Sequence, residues 1–251
     1  MRVPSPLFNG FLGLVAVAGL AAPAQASSFT VSPVRIELSS AHRTALLTVQ
    51  SDQDEPVVLQ ARPKHWTQRD GDDALEETQD VLLTPAVFTL PPHGQQVLRI
   101  ALRTEADARI ERDFRVIIDE VPAAPKPGFT GLNIALRLSV PVFVKSAAKG
   151  APALEFASTW DESAGKFGVT ATNTGTEHLQ IRSFEVHPQG DADSGWRNAV
   201  LRYVLPGSRV SWDWSVPTGT PRPTEIDIKL ESDQGPITAT VKTSPAAPAT
   251  P

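Results

Sequence analysis

Cysteine is absent from all 251 residues. The chain therefore cannot staple itself with disulfides, and it has neither a thiol nucleophile nor a thiolate metal site. Its five histidines, His42, His65, His93, His178 and His187, stand far apart with no HxH or HExxH spacing, so no metal site is expected. No GxSxG elbow precedes a helix and no glycine-rich phosphate loop lies between a strand and a helix. That leaves no catalytic set and no cofactor, and scattered Ser, His and Asp read as structural. A basic excess is also missing. With 23 basic against 28 acidic residues the net charge is −5, which argues against a nucleic-acid partner.

Long apolar runs are confined to the beginning. Arg2 and the apolar stretch Phe8 to Ala22 precede Ala24-Gln25-Ala26, the small-residue pattern of a signal-peptidase site. Residues 1–26 are expected to be a secretory signal, leaving an exported chain of 225 residues that is not membrane-spanning. Helical spacing is scarce after that point, whereas period-2 alternation recurs, as in Val34, Ile36 and Leu38, in Leu98, Ile100 and Leu102, and in Ile226, Ile228 and Leu230. The fold class is all-β. Seven strands are expected near 29–38, 44–51, 56–66, 81–90, 95–103, 113–121 and 132–145, an immunoglobulin-like number. A second series begins near residues 153, 166, 178, 201, 209, 225 and 236. The expected organisation is two immunoglobulin-like sandwiches, 27–145 and 153–243, with a linker at 146–152 and a disordered tail at 244–251.

The most informative stretch is Leu132 to Lys145. It has apolar residues at seven successive even positions, Leu132, Ile134, Leu136, Leu138, Val140, Val142 and Val144. At roughly 3.3 Å per residue such a strand runs about 45 Å, and Pro141 lacks the N–H that an interior strand needs. The pattern predicts an edge strand. A long apolar edge must be hidden or used to hold a partner.

Three other features carry competing readings. The carboxylates from Asp70 through Asp80 lack the alternation of a calcium loop and read as a solvated loop. Trp66, Trp160, Trp196, Trp212 and Trp214 fit core and inter-domain packing better than a sugar-stacking platform, and Trp212 with Trp214 on one strand face fits burial and exposure equally well. Arg35, Arg115 and Arg137 lie on the expected first, sixth and seventh strands, where converging guanidinium groups would capture a carboxylate bidentately.

Val31-Ser32-Pro33-Val34-Arg35, the run from Phe114 to Pro122 and Leu132-Asn133-Ile134-Ala135-Leu136-Arg137 together resemble the PapD-like periplasmic pilus chaperones of the chaperone-usher pathway. The resemblance extends over essentially the whole exported chain. It implies two sandwiches set at an angle around a cleft, a periplasmic location, and pilin subunits and an outer-membrane usher as partners. It further implies that the seventh strand is lent to an incomplete subunit, with Leu132, Ile134, Leu136 and Leu138 filling its groove. Family members anchor the subunit's terminal carboxylate with an Arg on the first strand and a Lys on the seventh. Arg35 matches the Arg, but the Lys position corresponds to Pro141, so Arg115 or Arg137 is expected to replace it. This departure is more like the archaic branch of the family. Glu111, Lys145 and Asp233 match an inter-domain charged cluster that fixes the domain angle.

The principal alternative is a structural or adhesive immunoglobulin-like surface module, and a weaker one is a carbohydrate-binding sandwich. A pilus component would have one incomplete domain and a detachable extension, whereas two complete strand sets are expected here. Self-association through the edge strand is a further use of the same feature.

Overall fold

The computed structural model describes residues 29–69, 71–122, 134–191, 194–198, 201–217 and 219–245. The expected signal segment, Leu132, Asp70 and residues 246–251 lie outside them. Among the described residues there are only strands, and no helix is long and apolar enough to cross a membrane.

The first sandwich contains β1 (Phe29–Ser32), β2 (Ile36–Leu38), β3 (Thr44–Ser51), β4 (Val57–Arg69), β5 (Asp72–Glu77), β6 (Val81–Thr84), β7 (Val87–Leu90), β8 (Gln95–Leu102), β9 (Arg112–Glu120) and β10 (Arg137–Val144). One sheet runs β1-β3-β8-β6, and the other runs β2-β10-β9-β4-β5 with β7 also on β4. Alternation explains the layers. Leu47 and Val49, Leu98 and Ile100, Leu59 and Ala61, and Phe114, Val116 and Ile118 turn inward from their strands to form one buried core.

Two expected strands are each divided by a proline, which cannot donate a ladder hydrogen bond. Pro33 separates β1, on one sheet, from β2, on the other. Pro85 separates β6 from β7 in the same way. The acidic stretch is a strand rather than a solvated loop. β5 pairs with β4, and its carboxylates meet cations there, Glu77 with Lys64 and Glu76 with Arg69, while Asp73 meets Arg115 of β9. Opposite charges across a ladder support a strand that composition alone reads as a loop.

The second sandwich contains β11 (Leu154–Asp161), β12 (Lys166–Asn173), β13 (Leu179–Pro188), β14 (Trp196–Asn198), β15 (Arg202–Val204), β16 (Arg209–Ser215), β17 (Glu225–Ser232) and β18 (Gly235–Pro245). β18 joins its two layers. Residues 235–242 pair with β17, and Thr243–Pro245 then pair in parallel with Ser158–Trp160 of β11. Ser244 and Pro245 therefore belong to a strand, not to the expected tail, because β11 supplies them with a ladder. Trp160 and Trp212 are buried in this core, Trp196 and Trp214 pack against it, and Trp66 fills the boundary between domains. Trp196 and Trp214 are half-buried, both in ring contact with Phe167.

A separate buried cluster joins the sandwiches. Trp66 and Phe143 of the first domain meet Tyr203 and Leu205 of the second, and the Phe143 ring stacks on His178 at 3.5 Å and 7°. The β4–β5 hairpin adds hydrogen bonds across the boundary. Gln68 donates to the Tyr203 carbonyl at 2.9 Å and accepts from the Leu205 N–H at 3.0 Å, and Arg202 donates to the Gly71 carbonyl at 2.8 Å.

Candidate functional site

β10 has two halves. Val142, Phe143 and Val144 lie between β9 and β2, whereas Arg137 to Pro141 pair with β9 and, among the described residues, with nothing on the other side. The expected edge is thus the N-terminal half of the strand. Its even residues do not all share one environment. Val140, Val142 and Val144 are buried in the first domain's own core, and Leu138 is packed against it, so Leu138 does not stand free as expected. Leu136 is half-buried: its N–H donates to the Glu120 carboxylate at 3.1 Å and its carbonyl accepts from the Glu120 N–H at 2.9 Å. Ile134 is 64% exposed. Of the four residues expected to fill a partner's groove, Ile134 is exposed, Leu136 is half-buried, Leu138 is half-buried against its own domain's core, and Leu132 lies outside the described residues.

The odd residues of β9 and β10 point away from that core, and Arg115, Ser139, Pro141 and Phe143 among them face the second domain. Ladder pairing puts Arg115 beside Pro141, and Arg137 beside Asp119. A cavity of about 560 Å³ opens at the Arg115 end. The first domain lines it with Val34, Arg35, Arg115, Ser139 and Pro141, and the second with Gln180, Arg182, Leu201 and Tyr203. Arg35 pairs with Asp233 at 2.9 Å and with Glu37 at 3.5 Å. Arg115 lies over the Trp66 ring at 3.6 Å, donates to Ser139 Oγ at 3.2 Å and pairs with Asp73 at 3.1 Å. Burial lowers the Arg115 pKa while Asp73 and Tyr203 oppose it, and burial raises that of Tyr203. The guanidinium keeps its charge throughout.

Arg137 does not join them. It lies four residues from Pro141 along β10, roughly 13 Å of strand, and it pairs with Asp119, which also takes Arg62. The expectation that Arg35, Arg115 and Arg137 converge is corrected to Arg35 and Arg115, with Arg182 added from the second domain. The alternation that puts Arg115 and Arg137 on one face says nothing about their separation along it.

The expected inter-domain trio also divides into two. Glu111 accepts from the His178 backbone N–H at 3.0 Å and from its Nδ1 at 2.5 Å. Lys145 Nζ lies 3.0 Å from Glu111 and 2.9 Å from Glu177, both ion pairs. Desolvation raises the Glu111 pKa, but the His178 hydrogen bonds and charge outweigh it and leave the carboxyl below its usual range. Asp233 belongs elsewhere. Its Oδ2 takes Arg35 and its Oδ1 accepts from the Gln180 N–H at 3.0 Å, which ties the cleft arginine to the second domain. Sequence reasoning missed Glu177, His178 and Asp113. Burial, followed by the neighbouring Glu111, pushes the Asp113 pKa well up. Glu111, Asp113 and His178 bring ligand-type atoms within 4.8 Å of one another, but His178 and the Lys145 ammonium already engage Glu111.

Residues 28–148 match the family model of the pili and flagellar-assembly chaperone, PapD N-terminal domain. The match takes in all of the first sandwich and just under half of the chain. About 86% of the chain is similar in fold to solved chaperones. One is in the CsuC–CsuE chaperone–tip adhesion subunit pre-assembly complex from archaic chaperone-usher Csu pili of Acinetobacter baumannii, with a TM-score of 0.66, 16% identity, and 86% of this chain and 99% of that chain covered. The Pseudomonas aeruginosa CupB2 chaperone gives 0.55 at 22% identity, covering 86% and 100%. The structure of Salmonella enterica SafA pilin with the SafB chaperone gives 0.58 at 19%, covering 86% and 97%. No curated protein sequence matches the chain. These similarities agree with the all-β architecture of two immunoglobulin-like domains.

Proposed function

We propose that the protein is a periplasmic chaperone that binds pilus subunits by lending them the N-terminal half of β10 and hands them to an outer-membrane usher. The observation that carries this reading is the unpaired side of Arg137 to Pro141 beside the exposed Ile134 and half-buried Leu136. Backbone groups on such an edge give affinity with little demand on sequence, and alternate side chains give specificity. Burying Ile134 and Leu136 contributes about 3 to 6 kcal/mol, less than association typically costs, so ladder hydrogen bonds and an end anchor must supply the rest. Arg35 and Arg115 are the anchor for a terminal carboxylate, and the Lys145–Glu177, Glu111–His178 and Arg35–Asp233 contacts hold the domain angle.

The surface-module alternative, taken as a pilus component, would have one incomplete domain, and both sandwiches here have continuous buried cores. The strand-donation reading is tested by coexpression with a pilus subunit from the organism that encodes the chain. Ile134→Asp with Leu136→Asp should abolish recovery of soluble subunit while leaving the chaperone's own yield intact. Unchanged recovery would sink the mechanism.

A further inference from the structure

Three features of the cleft converge on the second domain. The first is a bulge in β13. Ile181 faces Ser232 and Ser183 faces Glu231 across the ladder, so Arg182 is an extra residue without a cross-strand partner. A bulge of this kind re-aims a side chain out of the regular alternation, and bulges concentrate beside functional sites. Arg182 lines the cavity.

The second feature is charge. Arg35 is held by Asp233 and Glu37, and Arg115 by Asp73. Arg182 pairs with no carboxylate among the described residues, although it faces the same cavity. An incoming anion has to compete with an internal carboxylate at the other two arginines, but not here. The third feature is apolar exposure. Val34 is 74% and Leu201 65% exposed, with Ile134 the most exposed large hydrophobic side chains among the described residues, and both line this cavity. Apolar walls around a cation suit an apolar residue that ends in a carboxylate.

We propose that Arg182, turned out of the β13 ladder by the bulge, is the main cation for the partner's terminal carboxylate, with Val34 and Leu201 gripping an apolar last residue. The inference rests on the carboxylate-anchor reading above and moves the leading role to the second domain. A clamp with Val34, Arg35 and Arg115 on one domain and Arg182 and Leu201 on the other makes binding depend on the domain angle. Arg35 and Arg115 then frame the site, and their internal partners keep them in place while it is empty.

The test uses the full chain and a fluorescein-labelled decapeptide of alternating Thr and Val ending in Leu, as free acid and as amide, read by fluorescence polarisation. The wild type should prefer the acid about tenfold, the scale of a charge-assisted hydrogen bond. Arg182→Gln should remove that preference without changing amide binding, and Arg182→Lys should restore part of it. Leu201→Ser should reduce the preference for a Leu-ended over an Asp-ended acid. A wild-type preference that survives in Arg182→Gln overturns the role of Arg182 while leaving the anchor with Arg35 and Arg115. No acid preference in the wild type overturns the anchor itself.

Discussion

Phe143 sets the strength of the coupling between the domains. It is fully buried, yet it lies on the face of β10 that points away from the first domain's core, among Trp66, Tyr203, Leu205 and His178. Truncating a buried Phe costs about 3 to 5 kcal/mol when neighbours cannot close the cavity. Its stack on His178 also steadies the imidazole that hydrogen-bonds Glu111. Both cores are left intact by Phe143→Ala, so the loss falls on domain docking. In urea unfolding followed by tryptophan fluorescence, Trp66 reports the boundary and the other four tryptophans the second core. The wild type is expected to unfold in one cooperative transition, and Phe143→Ala in two, with about 3 to 5 kcal/mol lost in total. A single transition with a loss below about 1 kcal/mol would refute the assignment of Phe143 to the domain junction.

Asp113→Asn should change how stability depends on pH. Because the Asp113 pKa is raised in the folded protein, its favourable contribution is complete below the unfolded value of 3.8 and is lost as pH rises through the folded value. Thermal melts should therefore show Asp113→Asn gaining on the wild type between pH 4 and pH 8, and parallel curves would contradict this. Glu111 has the opposite sign: its lowered pKa gives stability present above 4.5 that disappears as pH falls through the folded value, so Glu111→Gln should cost most at neutral pH. A double-mutant cycle on Arg35 and Asp233 should give a coupling of about 1 kcal/mol, since Asp233 is mostly buried but Arg35 is partly exposed. A coupling of zero would remove the link between the cleft and the second domain.

Much of the fold was legible because alternation has a period of two. Leu98, Ile100 and Leu102 announced a half-buried strand, and they are buried as that pattern requires. What alternation cannot encode is pairing. The β5 strand was hidden in acidic residues whose partners, Lys64, Arg69 and Arg115, lie on other strands. Pro33 and Pro85 did not reveal that the chain changes sheets at each. The site divides in the same way. Ile134 and Arg35 could be found from local pattern and family resemblance. Arg137 could not be separated from Arg115 without knowing where along β9 each one sits. Arg182 owes its place to a bulge, and Ile181-Arg182-Ser183 carries no local mark of one. His178 and Glu111 are 67 residues apart in the chain, so no spacing rule would have brought them together.

The central claim is that a subunit takes the open side of β10. Amide hydrogen exchange on the chaperone, free and bound to a pilus subunit, tests it residue by residue. New protection is expected within residues 134–140, where amides on the open side acquire partners, with little change at Val142 to Val144, which β2 already covers. A stable complex in which residues 134–140 exchange as fast as in the free protein would contradict it.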